Sequence, residues 1–214
     1  MDAIVILGAG GHAGVVCDVA LSGGAFRVLG FIDRSAEPTA HGLPVLGGDA
    51  CLPGLEVDAA LVGIGDNWIR ARVAQAASAA RPGLRFAVAV HRAATVAPGV
   101  VLGAGTVVMA GAIVNPGARI GDHCIVNTGA VVEHDAVIGD HASIAPRAVL
   151  GGGVKVGAFS AVGIGATVSH GVTIGEHAVI GAGSVVMRDV GDRLVAYGVP
   201  CRLVRPRQPG ERYL

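Results

Sequence analysis

The second half of the chain carries an aliphatic residue at every sixth position. The series contains 17 members without a slip, and a small or β-branched residue stands four places after each, from Ala94 to Val190. An α-helix has a period of 3.6 residues and a strand a period of 2, so neither produces this pattern. A short fixed period is typical of a solenoid. The aliphatic members are Val90, Val96, Leu102, Val108, Val114, Ile120, Val126, Val132, Ile138, Ile144, Leu150, Val156, Val162, Val168, Ile174, Ile180 and Val186.

The first half instead alternates strand-like and helix-like segments. Strands alternating with helices favour a small α/β domain with a parallel sheet. We therefore predict two domains: residues 1–88 with a Rossmann-like α/β fold, and residues 89–214 with the solenoid and a C-terminal tail. The predicted strands are residues 4–7, 28–33, 57–64 and 85–90, and the predicted helices are residues 15–21 and 67–80.

Composition and charge narrow the functional classes. The chain has 35 glycines and 3% aromatic residues, which indicates many tight corners and little room for large rings. Sixteen basic residues balance 16 acidic ones, so no net field favours nucleic acid or an anionic membrane surface. No apolar run approaches the ~20 residues of a membrane span, and the start lacks the basic region of a signal peptide. Four widely spaced cysteines indicate free thiols in a reducing compartment, so we expect a cytoplasmic protein.

The six-residue repeat resembles that of the hexapeptide-repeat acyltransferases, which fold as a left-handed parallel β-helix. In that family three hexapeptides form one triangular coil, the aliphatic residue points into the prism, and coils stack at the ~4.8 Å strand spacing. The segment 198–202, Gly-Val-Pro-Cys-Arg, resembles the Gly-Val-Pro-Ala-Lys/Arg segment that follows the last coil in these enzymes. The resemblance implies a left-handed β-helix of five to six coils from the 17 repeats.

Stacked coils place residues that are 18 apart on top of one another. The triplet Glu133-His134-Asp135 then lies beside the glycine triplet 151–153, with His134 next to Gly152. Glycines remove side chains from the surface and leave backbone N–H groups accessible, although they also suit a plain corner of the prism. An ionisable cluster beside an open backbone favours the interpretation as a site.

The triplet suits acyl transfer to an amine. A neutral imidazole, with a pKa near ~6.5, accepts the surplus proton of an amine that has attacked a thioester. A carboxylate of Glu133 or Asp135 on the other ring nitrogen would fix the tautomer of His134. The Gly152 amide is the candidate donor to the oxyanion.

The segment 127–135, Asn-Thr-Gly-Ala-Val-Val-Glu-His-Asp, resembles the Asn-Thr-x-x-x-Ile/Val-Glu-His-Asp/Glu motif of nucleotide-sugar N-acetyltransferases. These include enzymes that acetylate 4-amino sugars such as bacillosamine and perosamine precursors, and the related sialic acid O-acetyltransferases. The resemblance implies that His134 is the general base, that Asp135 supports it, and that Gly152 binds the oxyanion. It also implies that backbone at Ile164 and around Ala182 holds the pantetheine arm of acetyl-CoA. Asp135 stands where many relatives carry Glu.

A glycine-rich loop joins the first predicted strand to the first predicted helix. Residues 8–14, with Gly10 and Gly11, depart by one place from the dinucleotide fingerprint, whose glycines let a phosphate approach the helix N-terminus. Asp33, at the end of the second strand, can accept hydrogen bonds from a ribose or a base. His12 is a candidate contact to phosphate or sugar, or a cap of the helix.

The opening of the chain and the segment 65–70 resemble the corresponding segments of the same acetyltransferases. In that family the small domain binds the nucleotide of the sugar substrate rather than NAD, and the sugar reaches the β-helix of a neighbouring subunit. The resemblance therefore implies substrate-binding roles for Gly10, Gly11, His12, Asp33, Gly65 and Asn67.

Three further histidines, His123, His141 and His177, share one column with Phe159. The γ-carbonic anhydrase type of β-helix enzyme binds zinc through histidines across a subunit interface. Zinc needs ligands that meet at one point, and members of one column do not obviously converge. We therefore interpret them as polar surface positions and predict no metal.

Together these patterns and resemblances predict acetyl transfer from acetyl-CoA to the amino group of a nucleotide-linked amino sugar in polysaccharide biosynthesis. The resemblance favours a 4-amino-4,6-dideoxy sugar. The alternatives are an O-acetyltransferase acting on a sugar such as sialic acid, a metal-dependent hydratase, and a non-catalytic nucleotide-sugar-binding trimer. Relatives pack three prisms side by side, so we expect a homotrimer.

Overall fold

The computed structural model describes residues 1–34 and 40–212. The α/β domain comes first, its sheet ends at Phe86, and the β-helix begins at Ala89. Among the described residues no helix is both long and apolar enough to cross a membrane. The elements of the α/β domain are β1 (Asp2–Leu7), α1 (Gly11–Ser22), β2 (Phe26–Ile32), a 3₁₀ segment (Ala40–Gly42), β3 (Val45–Gly47), a second 3₁₀ segment (Asp49–Gly54), β4 (Ala59–Val62), α2 (Asn67–Ala80) and β5 (Arg85–Phe86).

The five strands of the α/β domain form a parallel sheet in the order β3-β2-β1-β4-β5. Its central strand, β1, is apolar and buried from Ala3 to Leu7 because both of its faces are covered. Ile4 and Ile6 pack with α1 and with the β-helix, whereas Val5 and Leu7 pack with α2. The short apolar run therefore places the α/β domain directly against the solenoid.

The β-helix consists of two-residue strands separated by four-residue corners. Strands pair in parallel with a register of 18 residues, as Val132 with Leu150, so each coil contains three strands. We call the three sides face 1, face 2 and face 3 in chain order. Face 1 is β6 (Ala89–Val90), β9 (Val107–Val108), β12 (Ile125–Val126), β15 (Ser143–Ile144), β18 (Ala161–Val162) and β21 (Val179–Ile180), extended by β23 (Leu194–Tyr197) and the antiparallel β24 (Arg202–Pro206).

Faces 2 and 3 complete the prism. The aliphatic residues of the six-residue series point inwards and, with small corner residues, form one continuous buried core. Face 2 is β7 (Thr95–Val96), β10 (Ile113–Val114), β13 (Val131–Val132), β16 (Val149–Leu150), β19 (Thr167–Val168) and β22 (Val185–Val186), and face 3 is β8 (Val101–Leu102), β11 (Arg119–Ile120), β14 (Val137–Ile138), β17 (Lys155–Val156) and β20 (Thr173–Ile174).

The outward side chains differ between the faces. Those of face 1 are buried from Ala89 to Ala161 because the α/β domain covers them. Face 3 carries the charges of Arg119 and Lys155. Face 2 carries no charged side chain; its outward residues are Thr95, Ile113, Val131, Val149, Thr167 and Val185.

Candidate active site

His134 and Asp135 form a hydrogen-bonded pair at the corner between faces 2 and 3. His134 Nδ1 lies 2.9 Å from Asp135 Oδ2, and both side chains are exposed. The hydrogen bond to Asp135 raises the pKa of the His134 imidazole, and the negative charges of Asp135 and Glu133 add to the effect. A neutral ring that donates from Nδ1 keeps its lone pair on Nε2. The pair can therefore accept a proton at Nε2 and stabilise the resulting imidazolium.

The imidazole of His134 lies directly against the backbone of Gly152 on the next coil. A Cβ at Gly152 would lie 2.4 Å from His134 Nε2, so any side chain there would displace the ring. Gly153 N donates to His134 O at 2.8 Å and holds the two coils in this register. Within the described part of the chain, the Gly152 N–H has no acceptor. The imidazole and an available backbone donor are thus adjacent.

The residues predicted to hold pantetheine lie at a different corner. Ile164 and Ala182 stand between faces 1 and 2, where they line a pocket of about 400 Å³ together with His12 and Gly65. The pocket lies between the α/β domain and face 1. The structure therefore brings predicted substrate and cofactor residues together, and it separates them from His134 by the width of face 2.

Most of the pocket lining is apolar, with His12, Asn127 and Ser143 as polar exceptions. His12 lies in the first turn of α1, and its Nε2 atom is buried without a hydrogen-bond partner. Burial, and to a lesser extent the positive charge of Arg70, lower the pKa of His12 to about 4. The ring is therefore neutral at physiological pH. The sequence alone does not predict Asn127 and Ser143 as lining residues, because their place in the pocket depends on where the α/β domain docks.

The glycine-rich loop lies at the carboxyl edge of the parallel sheet, where ligands bind in such folds. A Cβ at Gly10 or at Gly11 would meet nothing within 4 Å, so the loop backbone is open. Asp33 Oδ2 accepts a hydrogen bond from Ala9 N at 2.8 Å. The carboxylate thus shapes this loop from the end of β2.

Asn67 is placed differently from the expected substrate contact. It begins α2 and is completely buried, and its Nδ2 atom donates to Phe159 O at 3.2 Å and Ser160 O at 3.1 Å. Arg70, one turn later, donates to His123 O at 2.8 Å and His141 O at 2.7 Å. The start of α2 therefore docks the α/β domain onto the β-helix.

The column of His123, His141, Phe159 and His177 lies beside this docking site, at the corner between faces 3 and 1. The His123 and His141 rings stack with centroids 5.1 Å apart, and Trp68 of α2 stacks on Phe159 at 4.9 Å. Burial lowers the pKa of each of the three histidines, that of His141 to about 4. The interpretation as polar surface positions needs correction, because the rings are half-buried: Trp68 of α2 stacks on Phe159 and His177, and Phe86 of β5 packs against His123. The described residues contain no group of three His, Cys, Asp or Glu placed to hold a metal ion.

Comparisons with known proteins agree with this architecture. The family model for the PglD N-terminal domain matches residues 3–77, and that for the bacterial transferase hexapeptide (six repeats) matches residues 99–134, 117–152 and 153–188. A search of curated protein sequences gives no match.

Several solved structures are similar over nearly the whole chain. PerB from Caulobacter crescentus, in complex with CoA and GDP-perosamine, is 41% identical with a TM-score of 0.89, over 96% of this chain and 98% of that one. A histidine-to-alanine variant of GDP-perosamine N-acetyl transferase from the same organism is 39% identical with a TM-score of 0.90, over 96% and 98%. The acetyltransferase domain of PglB from Neisseria gonorrhoeae, in complex with acetyl coenzyme A, is 34% identical with a TM-score of 0.89, over 95% and 99%.

The fold and the repeats define a hexapeptide-repeat acyltransferase with a left-handed β-helix and an N-terminal α/β domain. Within that class, the chain belongs to the family of nucleotide-sugar N-acetyltransferases that contains these relatives.

Proposed function

We propose that this protein transfers the acetyl group of acetyl-CoA to the amino group of a nucleotide-linked 4-amino-4,6-dideoxy sugar. The observation that carries the proposal is the His134–Asp135 pair, whose Nε2 atom lies against the Gly152 backbone. Relatives bound to CoA and GDP-perosamine, or to acetyl coenzyme A, support the same chemistry.

In the proposed mechanism the neutral amine attacks the thioester carbonyl, and His134 Nε2 takes the surplus proton from nitrogen. Asp135 accepts a hydrogen bond from Nδ1 and thereby stabilises the imidazolium that forms. The Gly152 N–H donates to the oxyanion. When the tetrahedral intermediate collapses, the carbon–sulfur bond breaks and the CoA thiolate takes the proton from the imidazolium.

The substrates would bind around the pocket between the two domains. Backbone at Ile164 and Ala182 is the proposed track of the pantetheine arm, and the open loop at Gly10 and Gly11 is the proposed phosphate site. His12, neutral and with an unpartnered Nε2, suits a hydrogen bond to the sugar nucleotide better than an ion pair with phosphate. Gly65 lines the same pocket, and Asp33 supports the loop.

We propose that the active enzyme is a homotrimer because one chain separates the base from the pocket. Face 2 lies between the two corners and presents only uncharged side chains. A heterologous contact that closes after three copies would bring the His134 corner of one prism to the Ile164 corner of the next. Each site would then consist of residues from two chains.

We also place the enzyme in the cytoplasm, where acetyl-CoA is available. The four cysteines are free in the structure, which fits a reducing compartment.

A thiol-release assay tests the reaction. Acetyl-CoA is offered with UDP-, GDP- and dTDP-linked 4-amino-4,6-dideoxy sugars and with the matching 4-hydroxy sugars. Thiol release with one amino sugar, together with an amide product in the mass spectrum, is the expected result. Turnover with hydroxy sugars alone would assign O-acetylation, whereas tight sugar-nucleotide binding without thiol release would assign a binding protein.

Complementation tests the composite site. Ile164 is 59% exposed, so Ile164→Arg should fold normally while it blocks the pocket. His134→Asn and Ile164→Arg are each expected to be inactive, whereas trimers mixed at random should recover about a quarter of the wild-type activity. Mixed trimers that form, as native mass spectrometry reports, but stay inactive would contradict a site shared between chains.

A further inference from the structure

Asp135 stands at a corner position that is glycine on the neighbouring coils. Its backbone is left-handed, with φ of 60°, like that of Gly117 one coil before it and Gly153 one coil after it, at 77° and 67°. Glycine adopts this conformation freely because it has no Cβ, and Asp is among the few other residues that tolerate it. The conformation decides where the Asp135 carboxylate points.

The carboxylate of Asp135 fills the space where Gly117 lacks a side chain. A Cβ at Gly117 would lie 2.4 Å from Asp135 Oδ1 and 3.4 Å from its Cγ. The other oxygen, Oδ2, is the one that lies 2.9 Å from His134 Nδ1. One oxygen therefore rests on Gly117 while the other orients the imidazole.

We propose that Gly117 is a positioning residue of the active site, acting through Asp135 to hold the His134 ring in its productive orientation. This proposal rests on the proposed function for its kinetic consequences but not for its structural ones. The nearest atoms to a Cβ at Gly117 all belong to Asp135, so the contribution of Gly117 is the absence of a side chain beneath the carboxylate. The dyad then depends on a glycine on each adjacent coil, Gly152 for the imidazole and Gly117 for the carboxylate.

Gly117→Ala is the direct test. The added methyl group displaces the carboxylate, and the hydrogen bond that raises the pKa of His134 is lost. The His134 pKa is then expected to fall, and the acid limb of the kcat profile, which rises as the base deprotonates, moves to lower pH. We expect kcat to fall about tenfold, because a base that loses its orienting partner keeps only part of its effect, and KM for acetyl-CoA to stay unchanged.

Gly99→Ala is the matched control, one further coil away in the same column. Gly99 has φ of 82°, and a Cβ there would meet nothing within 4 Å. Both substitutions place alanine in a left-handed backbone conformation, but only the methyl group of Gly117→Ala meets the Asp135 carboxylate. Gly99→Ala is therefore expected to leave kcat and the His134 titration as in the wild type.

A double-mutant cycle with Asp135→Asn separates positioning from general damage to the fold. If Gly117 acts through the carboxylate, Gly117→Ala should add less than a twofold loss in kcat to Asp135→Asn. If the losses in kcat of Gly117→Ala and Asp135→Asn instead multiply in the double variant, the proposal is overturned.

The titration of His134, followed by NMR and assigned by its loss in His134→Asn, needs no turnover. A lower His134 pKa in Gly117→Ala than in Gly99→Ala supports the positioning role even if no acceptor sugar is found. Equal pKa values in these two variants and the wild type would overturn it, even if the enzyme proves to be an acetyltransferase.

Discussion

His134→Asn is expected to lower kcat by at least about 100-fold, the contribution typical of a general base. Asparagine has nearly the size of the ring but cannot accept the proton that the attacking amine releases. The His134 side chain is 65% exposed, so its loss should leave the urea midpoint of unfolding close to that of the wild type. Steady-state kinetics with the sugar identified by thiol release, together with urea denaturation, measures both quantities.

His170→Asn is the control for this substitution. His170 is an exposed histidine two coils further along the same corner, and its replacement should change kcat by less than about twofold. If His134→Asn retained kcat within that range, the amine would lose its proton by another route, and His134 would not be the base.

The pairing of His134 with Gly152 could be predicted from the sequence because the repeat fixes it. A strict period of six with three strands to a coil leaves one register, and a slip of one residue would turn the aliphatic series out of the core. The observed register pairs Val132 with Leu150, so the corner that follows brings the imidazole to Gly152. Local periodicity is a strong predictor here because each coil contacts only its neighbours.

The separation of His134 from the pocket could also be predicted from the six-residue repeat. His134 and Ile164 are 30 residues apart, which is one coil and two further corners. Assigning both to one site in one chain therefore conflicts with the geometry of a three-sided prism. The family resemblance implies the same conclusion, because in that family the sugar reaches the β-helix of a neighbouring subunit.

The role of Asn67 could not be read from the sequence in the same way. The 18-residue spacing predicts that the rings of His123, His141, Phe159 and His177 share one corner of the prism. It does not predict that α2 docks at that corner. Docking of two domains depends on surfaces formed by distant segments, and here Trp68 stacks on Phe159 across 91 residues of chain. A polar motif residue such as Asn67 can either contact a ligand or hold two domains together, and the motif alone does not distinguish these two roles.

Arg70 is expected to contribute more to the free energy of unfolding than Arg72, the other charged residue of α2. The side chain is 1% exposed, and it donates to backbone oxygens on both sides of the domain boundary. Arg70→Met keeps the apolar stem but leaves the buried carbonyl oxygens of His123, His141 and Gly65 without this donor. Each such group left without a donor costs about 1–3 kcal/mol. Because single substitutions rarely cost more than about 5 kcal/mol, we expect a loss of about 3–5 kcal/mol in the free energy of unfolding.

Arg72→Met, on the exposed side of the same helix, is the matched control and should stay within about 0.5 kcal/mol of the wild type. Arg70→Lys should recover only part of the loss, because an ammonium group cannot reproduce the fork with which the guanidinium reaches both domains. The pocket lies between the two domains, so Arg70→Met should also raise KM for the sugar nucleotide, whereas Arg72→Met should not. Equal stabilities of Arg70→Met and Arg72→Met in urea would show that the apolar contacts of face 1, rather than Arg70, hold the α/β domain in place.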